Sequence, residues 1–524
     1  MDIQQITRET LDKAAAALVA SGDIRKALAV SDGLVGYNLQ EAAKQLVYLD
    51  SPFRRSIPRI VKPGANSDHW RTITALSSPL LFTQESAAAT GFAYTFGGSA
   101  EDGSSGAKTL TAAFKVAGIL GQVTLEAVRS AQGWDDALAK ESTNALLLAQ
   151  KLEGQAFLGS TLTALPSSYG NPAQVAAPVV ALSTTVGSIT ATTTTYYCQV
   201  LPLNIMAANR ATLDTTSLAP MTLNSTTQEN LMDGKAKTIA MIAPLGATAA
   251  GHGMDRLSAE GNSGSISPAS QCLRISWTPL KGAAAYAVFV GTTTGSANLK
   301  CEAIVTQAQV TLKSLVGTGA AATALTFTTD RTADAKAYDG IIPQIFVTTS
   351  GAYIKNVGSA LTGAAADGEV VELQDAFASI FDNAKIGKLR VICSGHDARS
   401  IAKRGITSNA MQIFAQTNAA GRTSMTIGTH VGEIINATTG DVCPIDVEPW
   451  LPQGQIMILP TEIPYPMANA SAPFQWVGNY DWMRFDYYPT TSTGPVYPFE
   501  VRCNGALEAI FTGGCGLLYN IYKT

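Results

Sequence analysis

Charged side chains are scarce in this sequence. Lys, Arg, Asp and Glu make up 15% of its 524 residues, whereas an ordinary soluble domain has about 25%. A chain with so little charge either hides much of its surface against other subunits or is a low-charge surface protein. The formal net charge of −4 excludes the strongly basic class of nucleic-acid-binding proteins.

Paired cysteines and long apolar runs are also missing. The seven cysteines are scattered and none forms a CxxC pair, which favours buried free thiols over a disulfide framework or a zinc site. No apolar run approaches the ~20 residues of a membrane span. The N-terminal residues MDIQQITRETLDKAAAALV show no signal-peptide pattern, so we expect synthesis in the cytoplasm.

The familiar catalytic motifs are absent as well, among them HExxH, GxSxG, GxGxxG and GxxxxGK[ST]. The strongest catalytic candidate is the cluster Cys393-Ser-Gly-His396-Asp397, at the end of an apolar strand. A Cys–His nucleophile is one interpretation. The favoured one is that His396 and Asp397 begin a helix, where an acid suits the first turn. His252 has no second ligand nearby and is expected to be exposed. The sequence therefore predicts no enzyme, no metal site and no cofactor.

Helical and extended segments alternate near the start of the chain. Apolar spacing predicts helices within 1–50 and over 122–158, with Gly133 separating two pieces of the second region. Prolines in SPFRRSIPRI (51–60) predict an extended arm. The Gly-, Ser- and aromatic-rich residues 85–108 predict the tip of a long two-stranded loop.

The richest basic run begins in this arm. Its members are Arg54, Arg55, Arg59, Lys62 and Arg71, with Asp68 opposing them. A solvated or subunit-facing arm is favoured over direct phosphate binding.

The middle of the chain is rich in Thr and Ser and has little helical periodicity. LRISWTPLKGAAAYAVFVG (273–291) alternates apolar and polar residues on both sides of Pro279. It predicts a half-buried antiparallel pair of strands with Trp277 as an aromatic anchor. Further short strands predict an all-β sandwich, with 221–265 as a long excursion from it. Because α+β patterns flank this region, we expect the sandwich to be inserted in a loop of its host.

Mixed patterns return in the last third of the chain. A capped amphipathic helix is predicted over 367–387, a strand over 389–395 and a second helix over 396–405. Strands are predicted within 422–462, and an aromatic, strand-like tail follows from about 463.

The order of these segments resembles the major capsid proteins of tailed bacteriophages, with the Hong Kong 97-type fold. SPFRRSIPRI looks like the N-terminal arm, and the hairpin at about 75–120 looks like the extended loop. GWDDALAKESTNALLLAQKLEGQAFLGS (133–160) is similar to the long spine helix with its terminal E…FLG, and AYDGIIPQI (337–345) looks like the start of the axial domain. SWTPLKGAAAYAVFVG resembles the W…GA..Y.V pattern of fibronectin type III or immunoglobulin-like modules.

The resemblance implies an α+β, Hong Kong 97-type capsid fold with an inserted all-β sandwich domain. The expected divisions are an N-terminal arm 1–70, an extended β-hairpin loop 71–121, a spine helix and peripheral domain 122–165, the inserted immunoglobulin/fibronectin-like sandwich 170–335, an axial domain 336–460 and a peripheral-domain return 461–524.

The resemblance also implies a function. Copies of a structural major capsid protein would self-assemble as hexamers and pentamers into an icosahedral phage head, made in the host bacterial cytoplasm and enclosing double-stranded DNA by non-specific contact. The arm and loop would contact neighbouring subunits, and portal, scaffold and decoration proteins are the other implied partners. The inserted sandwich would be displayed at the surface. The alternative function is a surface adhesin or carbohydrate-binding β-sandwich protein.

Some members of this family cross-link covalently between a Lys and an Asn. Lys108 and Lys115 lie near the expected hairpin. No partner or catalytic acid can be named for either lysine, so we expect no cross-link.

Overall fold

The protein is described here from a computed structural model. The structure describes residues 13, 48–73, 107–131, 136–159, 177–183, 194–205, 208–209, 228–229, 258–266, 272–280, 282–312, 315, 321–322, 338–346, 351–363, 369–405, 413–417, 423–427, 431–463, 465, 470, 472–487 and 496–522. Within these ranges, no helix has the length and apolar character needed to cross a membrane.

The helices of the described residues are mostly short, except for α3. In chain order they are α1 (Pro52–Ser56), α2 (Leu125–Ser130), α3 (Ala137–Gly159), α4 (Ile341–Phe346), α5 (Val371–Ala384) and α6 (Gly395–Gly405).

Strands make up most of the remaining ordered structure. They are β1 (Arg59–Val61), β2 (Ser67–Ile73), β3 (Ala107–Ala113), β4 (Lys115–Thr124), β5 (Val179–Ser183), β6 (Thr194–Leu203), β7 (Gln228–Glu229), β8 (Gly261–Ile266), β9 (Cys272–Ser276), β10 (Ala285–Gly291), β11 (Lys300–Val305), β12 (Gln309–Leu312), β13 (Tyr353–Asn356), β14 (Leu389–Cys393), β15 (Ile413–Thr417), β16 (Thr423–Ile427), β17 (Glu433–Ile435), β18 (Val442–Val447), β19 (Ile456–Pro460), β20 (Phe474–Asp486), β21 (Val496–Ala509) and β22 (Gly516–Tyr519).

The first sheet combines strands from distant parts of the chain, in the order β1-β20-β21-β4. β1 is parallel to β20, and the other pairs are antiparallel. Helix α3 packs against β4 and β21, and Phe499 and Val501 share a buried cluster with Ala145 of the helix. Because side chains alternate along a strand, every second residue of β4, such as Leu120, points to the opposite face.

The second sheet has six strands in the order β13-β22-β19-β14-β18-β17. β13–β22 and β14–β18 are parallel pairs, and the other pairs are antiparallel. Helix α5 contributes Leu373, Phe377 and Ile380 to a buried cluster with Val391 and Leu518 of the sheet. The apolar stripe predicted for this helix therefore forms the core under the sheet.

Two four-stranded sheets form a sandwich. Their orders are β11-β10-β6-β8 and β5-β9-β12-β7, and their facing side chains share one buried cluster that includes Ile275 and Val288. Trp277 and Tyr286 belong to this cluster, with ring centroids 5.3 Å apart in an edge-to-face arrangement. Both aromatic residues are thus part of the core and do not form an exposed binding platform.

The predicted strand pair within 273–291 is wrong in two respects. Both strands form, but β9 pairs with β5 and β12 whereas β10 pairs with β6 and β11. The connection through Pro279 crosses from one sheet to the other, as in Greek-key sandwiches, and periodicity cannot distinguish such an arch from a hairpin. In addition, β10 is buried on both faces instead of one.

A second buried cluster joins the sandwich to the rest of the molecule. The face of β10 and β6 that points away from the sandwich core carries Leu203 and Phe289. These side chains share the cluster with Phe157 of α3, Trp476 of β20 and Leu517 of β22. The sheet β11-β10-β6-β8 is therefore a layer within the body of the protein, and we call it the inner sheet of the sandwich. The sheet β5-β9-β12-β7 is the outer sheet.

Many predicted elements are confirmed among the described residues. The region 122–158 contains α2 and α3 as separate helices, and α5, β14 and α6 follow in the predicted order. β2 and β3 form the antiparallel base of the predicted loop, with His69 opposite Thr111. The predicted helices of 1–50 and the tip around 85–106 lie outside the described residues, apart from Lys13 and the residues from Tyr48 onward. The division into domains stays a prediction.

Candidate functional site: the arm-binding cluster

The arm segment 48–61 lies in a cluster of buried charges and aromatic rings. The prediction that 51–60 is extended is wrong for Pro52–Ser56, which form α1, because a proline in the first turn of a helix loses no hydrogen bond. The extended part is β1, which joins the arm to the first sheet. We call the residues that hold this segment the arm-binding cluster. They are Lys151, Glu153, Gly154, Glu448, Trp450, Trp476, Asp481 and Trp482.

Glu153 of α3 is the centre of the cluster. Its carboxylate is almost fully buried and accepts hydrogen bonds from Arg54 Nε at 2.6 Å and from two guanidinium nitrogens of Arg59 at 3.2 Å. Trp482 Nε1 donates a further bond at 2.8 Å. A buried charge needs this number of partners, because removing it from water is otherwise very unfavourable.

Arg59 extends the network to the first sheet. Its guanidinium donates to Asp481 at 2.6 and 3.0 Å and lies 4.0 Å from the ring centroid of Trp476. Burial alone would raise the pKa of Asp481, but the bonds from Arg59 outweigh burial and lower this pKa. The arm is thus held to both α3 and β20 by paired charges.

Close approach of the arm to α3 depends on Gly154. A Cβ at this position would lie 2.3 Å from Ser51 Oγ and 2.7 Å from Ser51 Cβ. These distances are far below van der Waals contact, so any larger residue would displace the arm or the helix. Glycine is unfavourable inside a helix, and its presence here is explained by this contact.

Glu448, in the loop after β18, holds the other side of the arm. It accepts hydrogen bonds from Phe53 N at 2.8 Å and from Ser51 Oγ at 3.5 Å. Burial raises its pKa to about 7, although its hydrogen bonds act in the opposite direction.

Trp450 follows in the same loop and contacts the start of the arm. Its Nε1 donates to Asp50 O at 2.7 Å, and its ring centroid is 6.1 Å from that of Tyr48. Lys151 Nζ lies 4.2 Å from the centroid of the Trp450 ring, and burial lowers the pKa of this lysine. The arm therefore ties α3, the first sheet and the second sheet together.

The predicted basic run has a different role from the expected one. Arg54 and Arg59 are neither solvated nor free for phosphate, because Glu153 and Asp481 neutralise them within the chain. Arg55 pairs with Asp50 at 2.7 Å on the surface, and Lys62 pairs with the opposing Asp68. Sequence spacing could not show this, because Glu153 and Asp481 lie 94 and 422 residues from Arg59. The one signal in the sequence was an acid, Glu153, within the mostly apolar end of the predicted helix.

The cluster around Cys393 shows helix capping. Ser394 Oγ accepts from Asp397 N at 3.2 Å, as an N-cap side chain does, and its hydroxyl donates to the Asp397 carboxylate at 2.8 Å. Asp397 also accepts from Gly454 N at 2.9 Å. His396 is exposed, while Cys393 is buried and burial raises its thiol pKa to about 12. An activated thiolate needs the opposite shift.

The other candidate residues add no reactive site to the described part of the chain. All seven cysteines are buried free thiols. No group of three or more potential metal ligands occurs among the described residues. Lys115 is the first residue of β4 and Lys108 lies within β3. His252 lies outside the described residues.

The comparisons with known proteins found similar solved structures but no similar family or curated protein. No protein-family model and no curated protein matches the chain. The chain is similar to three solved structures whose alignments each cover more than nine-tenths of this chain and of the other chain. The capsid of the native GTA particle, computed with C5 symmetry, is 9% identical over 94% of this chain and 98% of that chain, at a TM-score of 0.39. The Cyanophage A-1(L) capsid is 8% identical over 93% of this chain and 98% of that chain, at a TM-score of 0.39. The capsid of Cyanophage P-SCSP1u is 7% identical over 93% of this chain and 93% of that chain, at a TM-score of 0.32.

The predicted α+β class is confirmed by the helices and sheets described above. At TM-scores below 0.4, the likeness leaves the function of this chain to be argued from its own residues.

Proposed function

We propose that this chain is a structural subunit of a Hong Kong 97-type shell, and that many copies close into an icosahedral phage head around double-stranded DNA. The observation that carries this proposal is the construction of the first sheet. It joins an arm strand, two strands from the end of the chain and the strand that returns from a two-stranded loop, and α3 packs against two of these four strands, β4 and β21.

This construction suits a protein that reaches across its neighbours. The arm is anchored to three parts of its own subunit by the arm-binding cluster, so residues before it start from a fixed point. β2 and β3 leave the body together as an antiparallel ribbon. Segments that begin from rigid bases can contact adjacent copies without losing as much conformational entropy as free tails.

The composition supports burial between copies. Only 15% of the residues are charged, and several large apolar side chains are exposed on a single chain, Leu120 and Val116 among them. Exposed apolar surface of this kind marks protein–protein contacts. A net charge of −4 suits an inner face that touches DNA without reading its bases.

Display of the sandwich is proposed for its outer sheet alone. β5 and β9 of that sheet have exposed residues, such as Val179 and Arg274, while the inner sheet is buried in the body. Portal, scaffold and decoration proteins are the further partners that the resemblance implies, and the virion is the corresponding location. An enzymatic role has no support from the described residues, since Cys393 is buried with a raised pKa.

The proposal is tested by the mass distribution of the purified full chain. Sedimentation velocity from low to high micromolar concentration should show pentamers, hexamers and much larger particles. A chain that stays a monomer throughout this range would refute the proposal.

A further inference from the structure

An apolar band crosses the face of the first sheet that points away from α3. Its members are exposed and lie on β4, β20 and the residue after β20. Leu120 is 71% exposed, Val116 51% and Met483 44%. Phe485 and Tyr487 complete the set, which we call the outer face.

The register places these side chains beside one another. Leu120 is opposite Glu500, which is opposite Phe485 in the next strand. Two residues along, Gly118 is opposite Arg502, which is opposite Met483. Directly opposed residues of a sheet share a face, so the apolar side chains flank a central Glu500 and Arg502.

The two faces of this sheet differ in what covers them. Phe499 and Val501 on the inner face are buried under α3. Leu120, at the middle of β4, remains mostly open to solvent. β4 is also the last strand of its sheet within the described ranges, so one of its edges offers backbone groups for further pairing there.

We propose that the outer face binds a second copy of this chain. This inference rests on the proposed function, which supplies many copies, and it names the surface through which they meet. The charges on the face favour a second copy. Glu500, which accepts a hydrogen bond from Tyr487 Oη at 2.5 Å, lies two residues from Arg502 on β21, and a surface that carries both signs can be complementary to itself. A purely acidic or purely basic partner would meet a charge of its own sign on this face.

Thiol accessibility tests this proposal directly. The seven native cysteines are buried and react slowly, so an added surface cysteine gives the main signal. The variant L120C is labelled with a maleimide before and after assembly of the purified full chain. V179C is the matched control, because Val179 is also exposed, at 64%, but lies on β5 of the sandwich.

We expect labelling of L120C to slow by about tenfold or more on assembly, while labelling of V179C keeps its rate. Large particles with a fast-reacting L120C would overturn the outer-face proposal and leave the shell function standing. Small oligomers with a protected L120C would support the outer face and refute the shell. A lasting monomer would refute both.

A charge on the same face gives an independent readout. L120E should fold normally, since the side chain is exposed, and should keep the melting temperature of the wild type. It should reduce the fraction of chain in assemblies by at least about tenfold, whereas V179E should not. Assembly of L120E at the wild-type level would overturn the proposal.

Discussion

Glu153 is expected to contribute strongly to the free energy of unfolding through the arm-binding cluster. The variant E153Q keeps the size of the side chain but leaves the buried guanidinium of Arg54 without its charge partner. Breaking a buried pair in this way costs about 3–5 kcal/mol, so we expect a loss of that size in the free energy of unfolding, measured by chemical denaturation. E462Q is the control, because Glu462 pairs with Lys388 on the surface and should cause no measurable change. Equal effects of the two variants would contradict the role given to Glu153.

Gly154 offers a test of geometry at the same site. Replacing a helical glycine by alanine normally stabilises by about 1 kcal/mol. Here G154A should destabilise instead, because the new Cβ would overlap Ser51. The double variant S51G/G154A removes the overlap and should recover part of the lost melting temperature. Stabilisation by G154A alone would show that the arm does not lie against α3.

Glu448 makes the stability of the protein depend on pH. Burial raises its pKa from an ordinary 4.5 to about 7, so the folded state binds a proton more tightly than the unfolded state. Stability contributed by this group is therefore present at low pH and is lost as pH rises from about 4.5 to 7, by up to about 1.4 kcal/mol per pH unit. E448Q imitates the protonated form. It should match the wild type near pH 4.5 and exceed its free energy of unfolding by about 3 kcal/mol at pH 8. A constant difference at all pH values would contradict this assignment.

At the scale of elements, the inner sheet of the sandwich connects the sandwich to the body. Phe289 of β10 is fully buried against the body. F289A should cost about 3–5 kcal/mol and lower the midpoint of a single calorimetric transition of the whole molecule. V179A, on the exposed side of the outer sheet, should leave the transition unchanged. Two separate transitions, with only one shifted by F289A, would show that the sandwich is an independent module.

The sequence predicted these elements better than it predicted their contacts. Periodicity located α3, α5, β9 and β10, because each presents a repeating apolar face to a core. It placed β9 and β10 in one pair, since alternation records which side chains are buried and not which strand is the neighbour. The burial of both faces of β10 depends on α3 and β20, which are distant in sequence. For the same reason, the sequence predicts a solvated or subunit-facing basic arm, whereas Glu153 and Asp481 neutralise Arg54 and Arg59 in the folded chain.

At the scale of the whole molecule, the arm and the inner sheet of the sandwich both connect distant parts of the chain. Sheets from the start, middle and end of the chain share a buried cluster, so the described parts of the chain form one body, from which the arm and the β2–β3 ribbon extend. Such a body can be repeated in a lattice while its extensions adapt to different neighbours.

Electron cryo-microscopy of assemblies grown from the purified full chain tests the central claim most directly. The account predicts closed shells with hexamers and pentamers, in which each subunit carries its own arm against α3 and the outer face meets another copy. Dispersed monomers at high concentration, or assemblies without closed shells, would contradict it.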